Sequence, residues 1–184
     1  MNFAPIRKIL LLALAVTLAP ALCGQSAKKL VKSGDKFYEA KQYSDAYEQY
    51  NKARDADPER FDAYLGLGKS LYQMGRNDEA LEEFQRAAVY DEKEYQPFYY
   101  LGKIYANREV WSEAVKHLKK AQENDKKNEV VLAELFRAQT HTGEFEAALQ
   151  TADDLRRADR SAHSQYLLGV ALDSLGRYAQ AEAK

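Results

Sequence analysis

The chain has few of the side chains from which disulfide frameworks and metal centres are built. It contains one cysteine and three histidines in 184 residues. A single cysteine excludes an internal disulfide framework and any zinc site that needs several cysteines. The charges nearly cancel, with 27 Lys and Arg against 28 Asp and Glu and a formal net charge of −1. This balance argues against a dedicated nucleic-acid binder, which carries a strong basic excess.

Motifs that signal catalysis are missing as well. No Gly-x-Ser-x-Gly nucleophile elbow occurs, and no two of His117, His141 and His163 are four residues apart, the spacing of a helical metal site. Segment 66–70, GLGKS, is similar to the end of a phosphate-binding loop, but Ala63 stands where that loop needs its first glycine. We therefore predict that the protein is not an enzyme and binds no cofactor or metal.

What the chain does contain is a repeat of about 34 residues. Blocks that start at Ala27, Phe61, Tyr95 and Glu129 agree in phase at many positions, and a fifth, incomplete copy begins near Ala162. Three of the shared positions are position 8 (Gly34, Gly68, Gly102, Phe136), position 20 (Ala46, Ala80, Ala114, Ala148) and position 24 (Tyr50, Phe84, Leu118, Ala152).

Apolar residues recur at helical spacing within each block, and no segment alternates with period two, so the chain is predicted to be all-α. Gly68 and Gly102 are expected where two helices approach closely. Glycines between the predicted helices should take the left-handed conformation that ends a helix, and residues at the start of the second helix should cap it. The expected turn glycines are Gly75, Gly143 and Gly176, and the expected caps are Ser44, Asp78 and Ser112.

The pattern resembles the tetratricopeptide repeat, whose unit is two antiparallel helices. Tyr64 and Phe98 match the family's aromatic at position 4, and Pro58 matches its proline near position 32. The resemblance implies a right-handed α-solenoid of antiparallel helix pairs over residues 27–184, with about four complete repeats and a partial fifth. The predicted boundaries are 1–21 for a leader, 22–26 for a linker, and 27–60, 61–94, 95–128, 129–161 and 162–184 for the repeats.

Residues 1–21 lie outside the repeat and have the form of a signal peptide. Arg7 and Lys8 precede an apolar run over 9–19, and Ala19-Pro20-Ala21 has the small-x-small form of a cleavage site. The run is too short to span a bilayer as a mature helix. The absence of an Asn-x-Ser/Thr sequon fits a bacterial envelope slightly better than a eukaryotic route, so we expect a periplasmic or secreted protein.

Cys23 leaves an alternative open. It lies just past the apolar run, where bacterial lipoproteins carry their lipidated cysteine, but Leu22 is bulky where those proteins have a small residue. A lipid-anchored envelope protein is therefore the alternative localisation. Contact with a membrane is expected only if Cys23 is lipidated or the leader is not cleaved.

The resemblance also implies where a partner binds, because ligand contacts in the family come mostly from positions 2, 5, 9, 12 and 13 of the first helix. Position 9 is basic in three successive copies, at Lys69, Lys103 and Arg137. We predict a concave groove that binds a protein segment with acidic residues or a terminal carboxylate. The alternative is that these are ordinary solvated positions. Tyrosines expected to flank the basic residues are Tyr38 and Tyr72 at position 12 and Tyr99 and Tyr166 at position 5.

Aromatic residues also recur at position 17, and these are expected to pack in the core. They are Tyr43, Trp111, Phe145 and Tyr178. Taken together, the sequence predicts a non-catalytic interaction scaffold or assembly adaptor of the bacterial envelope. Alternatives are the lipid-anchored form and the targeting arm of a longer enzyme. No nucleic acid is expected as a partner, and the uncapped carboxy-terminal end is a candidate surface for self-association.

Overall fold

A computed structural model describes residues 26–158 and residues 166, 167, 169, 170, 172, 173 and 176. These residues contain α-helices and no strand, so the prediction of an all-α protein is confirmed. The helices in chain order are α1 (residues 26–39), α2 (Tyr43–Ala56), α3 (Phe61–Gln73), α4 (Asn77–Tyr90), α5 (Tyr95–Asn107), α6 (Trp111–Asn124), α7 (Glu129–Thr142) and α8 (Phe145–Ala158). The described residues between 166 and 176 are also helical.

The chain divides into two compact units between Tyr90 and Asp91. The first unit contains α1 to α4, and the second contains α5 to α8 with the helical residues that follow. Within each unit, helices that are consecutive in the chain pack against each other, as α3 does on α2 and α4, and as α6 does on α5 and α7. This arrangement is that of a helical-repeat solenoid, in which each unit of structure is stabilised by its neighbours.

Glycine at position 8 does mark a close approach of two helices. A Cβ added to Gly68 would lie 2.7 Å from the Phe84 ring, and one added to Gly102 would lie 2.5 Å from Leu118 Cγ. The fourth copy reverses this arrangement, because Phe136 is buried and packs with Ala152. A small residue on the first helix faces a large one on the second in three copies, and a large residue faces a small one in the fourth.

The turn between the two helices of each pair has left-handed backbone at the same position. Gly75 and Gly143 have φ of 78° and 76°, as predicted, and Lys41 and Glu109 occupy this position in the other two pairs with φ of 59° each. The prediction for Gly176 is wrong, since that residue lies in helical backbone. The turn geometry is therefore set by the repeat even where the residue is not glycine.

The predicted helix caps are wrong. The N-caps of α2 and α6 lie two residues earlier than expected, at Gln42 and Val110, and neither residue makes a side-chain cap bond. Ser44 and Ser112 therefore lie in the first turn of their helices, and Asp78 is likewise the second residue of α4. Helix α7 has a side-chain cap, in which Asn128 Oδ1 accepts a bond from Val131 N at 3.2 Å.

Candidate functional site

Lys69 lies in α3 of the first unit and is brought against Tyr38 of α1, as the sequence predicts for neighbouring binding residues. Its Nζ is 4.8 Å from the centroid of the Tyr38 ring. The Tyr38 hydroxyl accepts a hydrogen bond from Gln73 Nε2 at 3.2 Å, and its ring meets Tyr43 edge to face at 5.4 Å. Because the ring is held from both sides, it presents a fixed π face to the ammonium group.

Lys103 in α5 of the second unit has a similar partner on its own helix. Its Nζ is 5.6 Å from the centroid of the Tyr99 ring and donates a hydrogen bond to the Tyr99 hydroxyl at 3.3 Å. Residues four apart on a helix lie on the same face, so this contact follows from the spacing alone. The Tyr99 ring also meets Tyr100 edge to face at 5.2 Å.

Arg137 in α7 has a different environment, which the sequence did not predict. Its guanidinium is 5.7 Å from the Trp111 ring and pairs with Glu134 at 2.6 Å. The Trp111 ring stacks on His141, with centroids 3.9 Å apart and planes 4° apart. Trp111 is half-buried and packs on the core, as expected, and it also stacks on His141. The recurrence of an aromatic residue at position 17 marks Trp111 in the sequence, but nothing in the spacing links it to His141.

The remaining predicted residues are placed separately. Tyr72 is half-buried in α3, and Tyr166 is a helical residue with 67 % of its surface exposed. Cys23 and the predicted leader lie outside the described residues. The sequence register thus brings together Lys69 with Tyr38 and Lys103 with Tyr99, and it places Arg137 beside a tryptophan instead of a tyrosine.

The first copy carries an acid, Asp35, at the position that is basic in the next three. Its Oδ1 accepts a hydrogen bond from the Tyr50 hydroxyl at 2.8 Å. Burial, and then the bond to Asp35, raise the pKa of Tyr50 well above its usual value. The Tyr50 ring fills the space next to Gly34 and Gly66. Asp35 therefore has a structural partner, and the basic series begins at Lys69.

Segment 66–70 forms the middle of α3. Gly66, Gly68 and Ser70 are buried, and the Ser70 hydroxyl donates to the Gly66 carbonyl at 2.8 Å. A phosphate-binding loop needs free backbone N–H groups, whereas these take part in a helix. Helix packing therefore explains the glycines and the serine of this segment.

The described histidines stack on aromatic rings. His117 lies parallel to Tyr105 with centroids 5.4 Å apart, and His141 lies on Trp111. Burial lowers the pKa of His117, and the charge of Lys116 adds to that effect. Within the described part of the chain, no group of three or more His, Cys, Asp or Glu residues is placed to hold a metal ion.

A cleft of about 560 Å³ in the second unit lies apart from these residues. It is formed by the carboxy-terminal ends of α6 and α8 and the loop after α6. Its lining residues are Gln122, Glu123, Lys126, Lys127, Asp154, Arg157 and Ala158. Three of these side chains are basic and two are acidic, and none of the predicted binding residues is among them.

A family profile for the tetratricopeptide repeat matches residues 37–99 and 111–169, which is more than half of the chain. The chain belongs to the tetratricopeptide repeat family. Tetratricopeptide repeats act in general as protein-interaction modules, and this chain has the two-helix units on which that role rests. No curated protein sequence matches the chain significantly.

Solved structures share the fold. MamA protein aligns with a TM-score of 0.73 and 20% identity over 87% of this chain and 88% of its own. YrrB, described as a TPR protein with an unusual peptide-binding site, aligns with a TM-score of 0.69 and 21% identity over 83% of this chain and 76% of its own. The Arabidopsis OM64 TPR domain aligns at 0.62 and 16% identity over 65% and 98%. At these identities the likeness concerns the fold.

Proposed function

We propose that this tetratricopeptide repeat protein is a non-catalytic adaptor that binds a partner segment bearing acidic residues or a terminal carboxylate. The observation that carries the proposal is the basic series, Lys69, Lys103 and Arg137, in which each cation lies over an aromatic ring. The three residues occupy the same register in the first helices of successive pairs, α3, α5 and α7.

An aromatic ring positions a cation without neutralising it. A cation–π contact contributes about 0.5–1 kcal/mol at an exposed site, which restrains a lysine yet leaves N–H donors for a carboxylate. Among the described residues no salt bridge engages Lys69. Arg137, by contrast, already shares its charge with Glu134. Lys69 is therefore expected to contribute more to binding an acidic ligand than Arg137.

Two further observations support a protein ligand. YrrB, one of the structural relatives, is described as having a peptide-binding site, which supports a peptide-binding role for the same fold here. The tyrosines beside Lys69 and Lys103 supply contact area with few rotors to immobilise and a polar tip, as is typical of recognition surfaces.

The proposed location is the bacterial envelope, as a periplasmic or secreted protein, and it rests on the leader-like residues 1–21. Among the described residues, no helix has the length and apolar character needed to cross a bilayer. Anchoring through a lipid on Cys23 and service as the targeting arm of a longer enzyme are the alternatives. Mass spectrometry of the protein from envelope fractions distinguishes the cleaved, unmodified protein from the lipid-anchored one, since cleavage after Ala21 and lipidation of Cys23 give different masses.

The role of the basic series is tested by affinity capture from envelope extract with the chain lacking residues 1–21 as bait. Lys69, Lys103 and Arg137 are changed to Glu in one variant. A matched control changes the exposed lysines Lys52, Lys93 and Lys116 to Glu, which alters the net charge equally at other surfaces. We expect a partner that the unchanged bait and the control retain and the first variant loses. Equal capture by all three baits, with helical content unchanged, would reject the basic series as the site.

Self-association is a second proposed interaction. Tyr166 and Leu172, in the helical residues that follow α8, have 67% and 53% of their surface exposed, while Leu167 and Val170 pack on the Phe136 cluster. A helix with one face packed and apolar residues on the other is a candidate for covering by a second copy. Sedimentation of Leu172→Glu beside the unchanged chain tests this, and a monomer in both cases would exclude it.

A further inference from the structure

One stripe of α1 differs from the equivalent stripe of every other first helix in the described chain. Positions 3 and 10 of the repeat are buried in α3, α5 and α7. The residues there are Ala63 and Ser70, Pro97 and Ile104, and Val131 and Ala138. The same positions in α1 are Lys29 and Lys36, and both are exposed, as is Lys32 between them. We call these three lysines the α1 end face.

The burial of this stripe in a later copy has a visible cause. The ring of Tyr50, on α2, lies against Gly66, which is at position 6 of α3 and falls between Ala63 and Ser70. That side of α3 therefore packs against the preceding helix, α2. No described residue precedes α1, and its corresponding stripe is exposed. The first copy accordingly has lysines at positions 3, 6 and 10, where the second copy has alanine, glycine and serine.

Polarity alone would suffice to keep such an end soluble, yet the three lysines of this face have one sign of charge, and the first acid along the same side of the helix is Glu39, one turn beyond Lys36. No salt bridge joins Lys29, Lys32 or Lys36 to a carboxylate within residues 26–158. The acid nearest to Lys36 in sequence, Asp35, accepts a hydrogen bond from Tyr50 on the side that faces α2. Terminal repeats need a polar outer face, and mixed charges of the kind found elsewhere on this chain would provide one.

The geometry of the stripe suits a flat anionic surface. Lys29, Lys32 and Lys36 are spaced i, i+3 and i+7, so they lie on one side of a straight helix and extend over roughly 10 Å. Lysine presents a hydrated point charge on a flexible stem and makes no bidentate fork, which fits diffuse attraction better than recognition of a defined carboxylate pair. Clusters of four or more basic residues on an amphipathic helix bind anionic lipid headgroups. Lys28, which is also exposed on α1, is the fourth basic residue of this cluster.

We infer that the α1 end face binds the surface of an anionic phospholipid bilayer, which would orient the repeat with its first helix toward the membrane. This binding is distinct from the proposed peptide site, because that site uses Lys69, Lys103 and Arg137 and leaves the α1 end face unoccupied. It needs no insertion of a helix and no lipid on Cys23.

Co-sedimentation of the full chain with vesicles tests the inference. One set contains phosphatidylglycerol and phosphatidylcholine, and the other contains phosphatidylcholine alone. Any apolar insertion by residues 1–21 contributes to both sets, so the difference between them reports the electrostatic part. One variant changes Lys29, Lys32 and Lys36 to Glu, and the matched control changes Lys52, Lys93 and Lys116 to Glu.

We expect tighter binding to the phosphatidylglycerol vesicles and a loss of that preference at high salt. Each lysine near an anionic surface contributes roughly fivefold, so removing three should weaken the anionic preference by roughly a hundredfold in the end-face variant. The control variant should keep most of it. Absence of any anionic preference, or equal losses in both variants, would overturn the inference. Retention by an acidic polypeptide column without retention by vesicles would overturn it too, and would assign the face to a protein partner.

Discussion

The third and fourth helix pairs, α5/α6 and α7/α8, make the same interhelical contact with opposite side chains. In α5/α6 the first helix contributes Gly102 and the second contributes Leu118. In α7/α8 the first helix contributes Phe136 and the second contributes Ala152. Because interiors are packed to a fixed density, the repeat constrains the combined volume at this contact and leaves open which helix supplies it.

A second contact in the same two pairs also uses different side chains in each pair. Position 11 meets position 23 through stacked rings in α5/α6, where Tyr105 lies on His117. In α7/α8 the equivalent residues are Gln139 and Thr151, both buried, and the Thr151 hydroxyl donates to Gln139 Oε1 at 2.8 Å. An aromatic stack and a buried hydrogen bond thus occupy one place in the repeat. The register determines which residues meet, and the side chains determine how.

The largest effect is expected from removing the large residue of the fourth pair. Phe136→Ala should lower the free energy of unfolding by about 3–5 kcal/mol, because Ala152 cannot fill the cavity that remains. Urea denaturation followed by circular dichroism measures the change. The double variant Phe136→Gly with Ala152→Leu copies the third pair and should recover a substantial part of the loss. If the double variant were no better than Phe136→Ala, the two pairs would not be alternative solutions to one contact.

The reciprocal test introduces a side chain into the third pair. Gly102→Ala should cost about 1–3 kcal/mol, since the new Cβ would lie 2.5 Å from Leu118 Cγ and the helix must shift. Helix propensity acts in the opposite direction and contributes up to about 1 kcal/mol. Gly75→Ala is unsuitable as a control because of its positive φ, so Gln85→Ala on the exposed side of α4 is used. A neutral or stabilising Gly102→Ala would mean that Leu118 can move aside.

The buried hydrogen bond of the fourth pair gives the next effect. Thr151→Val keeps the shape but leaves Gln139 Oε1 buried without its donor, which should cost about 1–2 kcal/mol in thermal or urea unfolding. Replacing both partners, with Gln139→Leu and Thr151→Val, should be nearly neutral, since no unpaired polar atom remains. A double variant as unstable as the single one would show that packing, and not the hydrogen bond, determines this contact.

The turns of the two pairs have the same backbone conformation but different residues in it. Both have left-handed backbone, at Glu109 in the third pair and at Gly143 in the fourth. Left-handed backbone disfavours a residue with a Cβ, so Glu109→Gly should stabilise the protein by about 0.5–1 kcal/mol, whereas Gly143→Ala should destabilise it by a similar or larger amount. Changes of the same sign in both variants would contradict a common turn geometry.

The smallest effect concerns pH and distinguishes the aromatic stack from the hydrogen bond. Burial lowers the pKa of His117, so the folded protein keeps this side chain neutral where the unfolded chain already binds a proton. Its contribution to stability is complete above the unfolded value of about 6.5 and is lost as the pH falls through that value toward the folded pKa. His117→Phe should therefore reduce the loss of stability on acidification. Parallel pH profiles for His117→Phe and the unchanged chain would contradict this.

Sequence reasoning predicted the helix pairs, the close approaches at Gly68 and Gly102, and the turns at Gly75 and Gly143, because backbone register and volume are visible in a repeat. It missed what depends on side-chain rotamers. The stacking of Trp111 on His141 joins two helix ends that lie thirty residues apart, and nothing in their spacing specifies it. The large residue at Phe136 and the small one at Ala152 were visible in the aligned repeats, but their relation appears only when positions 8 and 24 are compared with each other.

The helix caps were predicted wrongly because the starts of the helices were misplaced. Ser44 and Ser112 are good capping residues, but each of those helices begins at the aromatic residue of position 17, so its N-cap lies two residues before the serine. The structure places Tyr38 beside Lys69 and Tyr99 beside Lys103, which follows from the repeat and from helical spacing, while their role in binding stays a prediction. It could not give the ion pair between Arg137 and Glu134, because that pair reflects which of several charged neighbours the side chain meets.

The division of the chain at Tyr90 turns its single tryptophan into a selective reporter. Trp111 belongs to the second unit, so its fluorescence follows the unfolding of α5 to α8, whereas circular dichroism follows helices in both units. Coincident transitions would mean that the whole solenoid melts as one cooperative unit. Separated transitions would give the free energy of each half within one experiment, and would locate every variant above in the half that it weakens.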